Sequence, residues 1–306
     1  MKKEEGFTIF SERFQNLYNC LCEIRDSKED WRYKIIHVDN FAKHKNPIEA
    51  AADYWKEILY RAHLAVLVTY FKTIRWIDAV KDAKENSNYY SFVASLRGFI
   101  ECCSDSFYSL NTVPLTIAKD FEVISRQLSK TSGVITDHQS LEELLIHFSH
   151  ATKLGKEQKN IWPEFLNAKQ IREYLNSISD VGDKIDFLYS YLCQVVHPAS
   201  QSADIILFHS YENEMIVCGD SFQLEKELIN IIDVEFAEVI HNTFTIICTN
   251  GFTILKLLKK FHLPELHTSF TFEDTVEDID AWQEILDLIA KSKMNYDLAT
   301  VSGVYQ

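Results

Sequence analysis

Apolar residues recur with the spacing of an α-helix along most of the chain. The pattern is clearest over residues 47–84, where Asn46 is placed to cap a helix and Pro47 suits its first turn. Little of this helix is polar, so we expect it to be central and well buried. After the polar break at residues 85–88, a second long helix is predicted over residues 89–110, and the short break favours an antiparallel pair.

The same spacing predicts further helices over residues 10–26, 115–129, 140–152, 168–177, 183–196, 221–261 and 280–291. One stretch departs from it: residues 204–218 contain two apolar runs around the polar segment 211–214, which is typical of a β-hairpin. The predicted fold is therefore mainly α, a multi-helix bundle with one small β-hairpin near residues 204–218.

Composition agrees with long helices, because the chain has only 8 Gly and 5 Pro to form turns. No repeat of fixed period and no Gly/Ser-rich or Pro-rich linker divides the sequence. We therefore predict a helical domain over residues 1–262 that carries the hairpin as an insertion. Residues 263–306 are predicted to form an acidic carboxy-terminal appendage with a short helix, and its nine acidic residues and two lysines supply half of the formal net charge of -14.

The sequence favours a cytoplasmic protein that does not contact membranes. Its first residues are charged and lack the apolar run of a secretory signal. Residues 239–258 are long enough to span a bilayer, but their several polar side chains indicate a buried core helix. The seven cysteines follow no disulfide spacing, which fits reduced thiols. The net charge of -14 argues against a broad phosphate-binding surface and leaves room for RNA in a local pocket.

Common cofactor and metal signatures are missing from the sequence. It contains no Gly-rich phosphate loop and no Gly-x-Ser-x-Gly nucleophile elbow. Glu238 and His241 form one Glu-x-x-His motif, whereas a di-iron bundle needs two. His147 and His150 share a helical face but have apolar neighbours, as expected for an amphipathic helix. We therefore expect neither a metal nor a cofactor.

Three charged residues at intervals of four form a stripe on the second long helix: Arg97, Glu101 and Asp105. Because their neighbours are mostly apolar, we expect the stripe to face the interior or a cleft, where its charges need partners. Gly98, next to Arg97, would let another group approach the helix closely.

A second candidate is the apolar helix that ends at His197, immediately before Pro198. A residue before proline disfavours the helical conformation, so this imidazole is expected at a helix carboxyl end, where a positive charge is stabilised. Two interpretations fit, a histidine that titrates near neutral pH and a cap histidine bonded to the neighbouring backbone.

An Arg-x-x-x-Glu helix is thus followed later by Tyr-x-x-Leu and then His-Pro, in residues Arg97, Glu101, Tyr189, Leu192, His197 and Pro198. In this pattern the chain resembles bacterial helical proteins related to the HEPN (higher eukaryotes and prokaryotes nucleotide-binding) superfamily. The resemblance implies a helical bundle and frequent membership in toxin or anti-phage systems. For catalytic members it also implies metal-independent RNA cleavage by an Arg/His pair, often across a dimer.

The chain departs from the HEPN signature, in which His follows Arg after four to six residues on a late bundle helix. No such match lies near His197. Arg32 and His37 do match, but in an early segment, and about one match is expected by chance in a chain with this many arginines and histidines.

The resulting hypothesis is a metal-independent ribonuclease or toxin-type effector of a bacterial defence system. His197 would be the general acid or base, and Arg97 would stabilise the charge of the phosphorane. Glu101 would orient Arg97, and Tyr191 could supply a hydroxyl. Besides RNA, we expect a protein partner or a second copy of the chain.

The alternative is a non-catalytic helical scaffold that docks on a partner through its acidic carboxy-terminal segment. Residues 280–290 place four apolar side chains at helical spacing with acids opposite, namely Trp282, Ile285, Leu286 and Ile289. Such a helix lies in a groove of another chain or packs on its own body.

Overall fold

The computed structural model describes residues 8–27, 30–35, 44, 46–131, 136–178, 182–197, 200–209, 215–217, 222–266, 276–277 and 279–301. Most of these residues are helical, which confirms the predicted mainly α fold. The helices are α1 (Glu12–Asp26), α2 (Pro47–Glu85), α3 (Tyr89–Leu110), α4 (Val113–Lys119), α5 (Phe121–Leu128), α6 (Gln139–His150), α7 (Ile171–Ser177), α8 (Gly182–Val196), α9 (Ser200–Asp204), α10 (Phe222–Glu235), α11 (Ala237–Lys259) and α12 (Asp280–Val301). Short 3-10 turns lie at Gln158–Asn160, Glu164–Leu166 and Pro264–Leu266.

The predicted β element is present as two short strands, β1 (Leu207–His209) and β2 (Met215–Val217). They pair antiparallel, with Leu207 opposite Val217 and His209 opposite Met215. The rest of the predicted hairpin, residues 210–214 and Cys218, lies outside the described residues.

The two long helices begin and end where the sequence predicts. The Asn46 side chain accepts a hydrogen bond from the Ile48 backbone N–H at 3.0 Å, as expected of a cap. Ser87, in the polar break, has a φ of 52°, and the side chain of Asn88 caps the first turn of α3 through the Ser91 N–H at 3.0 Å. The predicted break therefore ends α2 and starts α3.

Two predicted helices are each broken in two. The helix predicted over residues 115–129 is interrupted at Asp120, and the one predicted over residues 221–261 is interrupted at Phe236. An aromatic ring at each break packs on a distant ring, Phe121 on Phe261 at 4.7 Å and Phe236 on Phe187 at 6.1 Å between centroids. Periodicity along the chain does not reveal such contacts.

The chain divides into two compact units. Unit 1 consists of Met1–Cys22, Thr69–Asp105 and Gln170–Ile247, and unit 2 of Glu23–Val68, Ser106–Lys169 and Cys248–Gln306. Each unit is assembled from three separate stretches, so this division is not the predicted partition after residue 262, which stays a prediction.

In unit 1, buried polar residues hold the first described residues against α10 and α11. The Ile9 N–H donates to the Asp233 backbone and side chain, and His241 Nε2 donates to the Ile9 carbonyl at 2.6 Å. Lys84 Nζ completes the arrangement at 2.7 Å from Asp233 Oδ2. His241 therefore has a structural role, which is to hold the backbone at Ile9.

In unit 2, α12 packs on α4 and α5, and it continues to Val301, ten residues beyond its predicted end at residue 291. Trp282 and Ile285 of α12 are buried. Within the described residues of both units, no helix is long and apolar enough to cross a membrane.

Candidate functional site

The candidate site lies in unit 1, where α3 and α8 present their polar stripes to each other. Both helices bury an apolar stripe, formed on α8 by Ile185, Leu188, Leu192 and Val195 and on α3 by Val93, Leu96, Ile100 and Cys103. On α8, residues at intervals of four then share the neighbouring face, which carries Tyr189 and Cys193 and leads to His197. On α3, the matching face carries Arg97 and Glu101.

Four side chains from these two faces form one hydrogen-bonded cluster. Arg97 Nε donates to Glu101 Oε1 at 2.9 Å, and the Tyr189 hydroxyl donates to the same oxygen at 2.6 Å. Arg97 Nη1 lies 3.4 Å from His197 Nε2, although the two residues are 100 positions apart in the sequence. The guanidinium carbon also lies 5.6 Å from the centre of the Tyr189 ring. The structure therefore brings Arg97, Glu101 and His197 together.

The Arg97–His197 contact can be a hydrogen bond in one direction only. A guanidinium has only N–H donors, so the bond would run from Arg97 Nη1 to the lone pair of His197 Nε2. At 3.4 Å the bond is long, and therefore weak.

The rest of the cluster keeps its protons in place. Burial, followed by the hydrogen bond to Glu101, raises the pKa of the Tyr189 phenol, so this hydroxyl remains a donor at neutral pH. Burial acts to lower the pKa of Arg97, but the hydrogen bonds with Tyr189 and Glu101 outweigh it and raise that pKa. Oε1 of Glu101 thus accepts hydrogen bonds from two donors, Arg97 and Tyr189.

The cluster is open to solvent on the side of His197. The Arg97 side chain is 23% exposed and that of Glu101 is 37% exposed, while His197 is an exposed residue directly after the last turn of α8. Its backbone N–H still donates to the Cys193 carbonyl at 2.9 Å, so the helix positions it, as predicted. Pro198 lies outside the described residues. A charged group from solvent can therefore reach Arg97 and His197 together.

The third member of the predicted stripe, Asp105, lies outside this cluster. It is paired with Lys72, Oδ2 to Nζ at 3.6 Å, so the stripe forms two separate ion pairs, Arg97–Glu101 and Lys72–Asp105, rather than a triad. Gly98 does permit a close approach: a Cβ there would lie 2.6 Å from Cη2 of Trp76. The Trp76 ring thus rests directly on the backbone of α3 next to Arg97.

Tyr191 lies on a different side of α8. Its hydroxyl is 2.7 Å from that of Tyr89, and burial together with this bond raises the pKa of Tyr89. Residues two apart on a helix do not face the same way, which is why Tyr189 and Tyr191 have different partners. Tyr189 is the phenol beside Arg97, and its spacing of eight from His197 is the signal that could have identified it from the sequence.

Other sequence candidates are occupied by structural contacts. His147 is buried and its Nδ1 donates to the Phe165 carbonyl at 2.7 Å. Arg32 is exposed and pairs with Asp30 at 3.1 Å, while His37 lies outside the described residues. Within the described part of the chain, no three His, Cys, Asp or Glu side chains are grouped to hold a metal ion.

The apolar face of α12 is covered within unit 2. Trp282 and Ile285 are each 1% exposed, and Lys256 Nζ lies 4.7 Å from the centre of the Trp282 ring. Of the two arrangements considered for this helix, these residues show the one in which it packs on its own chain.

Comparison of the chain with models of protein families, with curated proteins and with solved structures gives no match. The cluster must therefore be interpreted from its own chemistry.

Proposed function

We propose that the chain is an HEPN-like, metal-independent ribonuclease, acting as a toxin-type effector of a bacterial defence system. The observation that carries this proposal is the 3.4 Å contact between Arg97 Nη1 and His197 Nε2. A base placed beside a fixed cation is what cleavage of RNA by its own 2′-hydroxyl requires.

In the proposed reaction, neutral His197 Nε2 accepts the proton of the 2′-hydroxyl. The 2′ oxygen then forms a bond to the adjacent phosphorus, and the bond from phosphorus to the 5′ oxygen breaks. The departing oxygen takes a proton from water, and the imidazolium returns its proton to solvent. The products are a 2′,3′-cyclic phosphate and a free 5′-hydroxyl.

Arg97 would bind the phosphate and stabilise the additional negative charge that develops as the 2′ oxygen attacks. Glu101 and Tyr189 hold the Nε side of the guanidinium, while Nη1 makes only the weak contact with His197. A phosphate is a stronger acceptor than a neutral imidazole, so it would draw Nη1 away and release the Nε2 lone pair. Substrate binding would thus prepare the base.

The test is cleavage of a labelled single-stranded RNA by the purified full chain in the presence of EDTA. We expect a 2′,3′-cyclic phosphate product, and no cleavage of the same strand made of deoxynucleotides. His197→Ala should slow cleavage by about 100-fold or more, the usual contribution of a general base.

Arg32→Ala is the matched control, because Arg32 belongs to the other Arg/His match and its side chain is 88% exposed. It should retain full activity. If Arg32→Ala stops cleavage and His197→Ala does not, the assignment of the site to α3 and α8 is wrong.

One observation supports the scaffold alternative: two apolar residues of α12 are exposed, Met294 by 64% and Leu298 by 66%. A partner would have to use this exposed side of the helix. Expression in bacteria separates the two functions, because growth arrest relieved by His197→Ala or Arg97→Ala favours the nuclease. Equal tolerance of the original protein and both variants favours the scaffold.

A further inference from the structure

A loop of unit 2 presents two large apolar side chains to solvent. Residues 155–164 are all exposed, and among them Ile161 is 79% and Trp162 is 53% exposed. No other large hydrophobic residue in the described part of the chain is as exposed as Ile161. Adjacent exposed apolar residues of this size usually mark an interaction surface.

The loop is ordered by its own hydrogen bonds. The Lys159 N–H donates to the Gly155 carbonyl at 3.1 Å, and the Trp162 N–H donates to the Gln158 carbonyl at 2.9 Å. At its base, Thr152 bonds through its N–H to Leu166 and through its carbonyl to Ala168. The backbone that carries Ile161 and Trp162 is therefore held in place by these bonds, which lowers the entropy cost of binding.

The segment that contains the loop is basic, in a chain with a net charge of -14. Residues 153–169 hold four lysines and two glutamates, a net charge of +2, and Lys153, Lys156 and Lys159 are exposed. One of the two acids, Glu164, pairs with Lys169 at 2.8 Å. The apolar tip thus lies in a segment of net positive charge and suits an acidic partner with an apolar recess.

Unit 1 carries a recess of that description, a groove of about 260 Å³ at the junction of α10 and α11. Its apolar lining consists of Phe187, Phe236 and Val239, and Phe187 is 66% exposed. Its charged lining consists of Glu235, Glu238 and Lys184, with Lys184 Nζ 3.8 Å from Glu238 Oε2. The groove therefore combines an apolar surface with a net negative rim.

We propose that the Ile161–Trp162 tip of one copy binds this groove in a second copy of the chain. The tip would bury its apolar side chains against Phe187 and Phe236, and the loop lysines would face Glu235 and Glu238. Tryptophan is the residue that most often anchors such contacts. A nucleic acid could use Trp162 and the lysines, but it would leave both the aliphatic Ile161 and the groove without a role. This proposal does not depend on the ribonuclease hypothesis.

Sedimentation of the purified full chain over a range of concentrations tests the contact. We expect reversible self-association that Trp162→Ala and Phe187→Ala each weaken by at least about 30-fold, the effect of losing an anchor residue. Both side chains are exposed, so the variants should fold, which circular dichroism checks. Met215→Ala, which truncates an equally exposed apolar side chain on β2, should not change association.

Mixing the two variants gives the decisive result. The first keeps an intact groove and the second an intact loop, so the mixture should associate although neither variant does alone. Three outcomes overturn the proposal: a chain that stays monomeric, association that both variants leave unchanged, or a mixture that does not associate. Binding of single-stranded RNA through Trp162 by a monomeric chain would make the loop a nucleic-acid contact instead.

Discussion

The long helices α2 and α3 each carry an arginine and a glutamate one turn apart, in different surroundings. On α2, in unit 2, Arg61 Nη2 donates to Glu57 Oε1 at 2.6 Å, and both side chains are 17% exposed. On α3, in unit 1, Arg97 Nε donates to Glu101 Oε1 at 2.9 Å. The two pairs have the same spacing in opposite order, with Glu57 before Arg61 and Arg97 before Glu101, so their neighbours decide what each can do.

Arg61 is surrounded by excess negative charge. Besides Glu57 it acts on Glu142, whose pKa is raised by burial, while the hydrogen bond from Tyr54 and the charge of Arg61 oppose that rise. Burial raises the pKa of Tyr54 itself to about 12, so its hydroxyl remains a donor. Arg97 instead has one carboxylate and one imidazole among its described contacts. Arg97 can therefore bind a further anion, whereas Arg61 could bind one only by displacing a carboxylate.

Replacing each arginine by alanine should separate the two roles, and this is the largest effect we expect. Arg97→Ala should lower RNA cleavage by about 100-fold to 1000-fold and change stability by less than about 1 kcal/mol. Arg61→Ala should leave cleavage by the folded protein unchanged and cost about 1–3 kcal/mol, because two carboxylates lose their cation. Cleavage rates and urea unfolding measure the two effects.

An equal loss of cleavage activity in both variants would contradict this assignment, since it would mean that the surrounding charge does not distinguish the two arginines.

Gly98→Ala should have the next largest effect and shows how firmly α3 is positioned beside Arg97. The new Cβ would lie 2.6 Å from the Trp76 ring, and overpacking of this kind costs about 1–3 kcal/mol. Thermal unfolding measures the loss, and adding Trp76→Ala should recover part of it by removing the clash.

Gly155→Ala is the matched glycine variant, because the nearest atom to its Cβ, Gln158 Oε1, is 3.4 Å away. It should be clearly milder. A Gly98→Ala variant as stable as the original protein would show that Trp76 moves aside readily.

Glu142→Gln should give the smallest effect, seen in the pH dependence of stability. Because the folded pKa of Glu142 is raised, its contribution is complete at pH below the usual carboxyl range and is lost as pH rises through the folded pKa. The glutamine variant should therefore lose less stability between acidic and neutral pH. Urea unfolding at several pH values measures this.

Glu164→Gln provides the opposite sign, since Lys169 lowers the pKa of Glu164. Its contribution is present above the usual carboxyl range and is lost as pH falls, so its removal should matter most at neutral pH. The same pH trend in both variants would contradict these assignments.

The sequence predicts what local patterns control. The bounds of α2 and α3 follow from caps and periodicity, and the Arg97–Glu101 pair follows from their spacing. The meeting of Arg97 with His197 was a hypothesis from a sequence pattern, and the cluster is consistent with it. At the break at Phe236, the ring contacts the distant Phe187, and no local pattern contains such a contact. The sequence pattern favours Tyr191 over Tyr189 because only the packing of α8 against α3 shows which phenol reaches Glu101 and which reaches Tyr89.

Arg97 bridges two points of α8, because its Nη1 contacts His197 while Nε shares Glu101 with Tyr189. Tyr189 and His197 are eight residues apart, about 12 Å along a helix, whereas Arg97 and Glu101 are separated by about 6 Å. Because the Arg97 side chain is long and its guanidinium is branched, its nitrogens reach both His197 and Glu101 despite this difference in spacing. A slip of α8 along α3 by one turn, about 5.4 Å, would break both contacts at once. The cluster therefore forms only when α8 and α3 pack in this register.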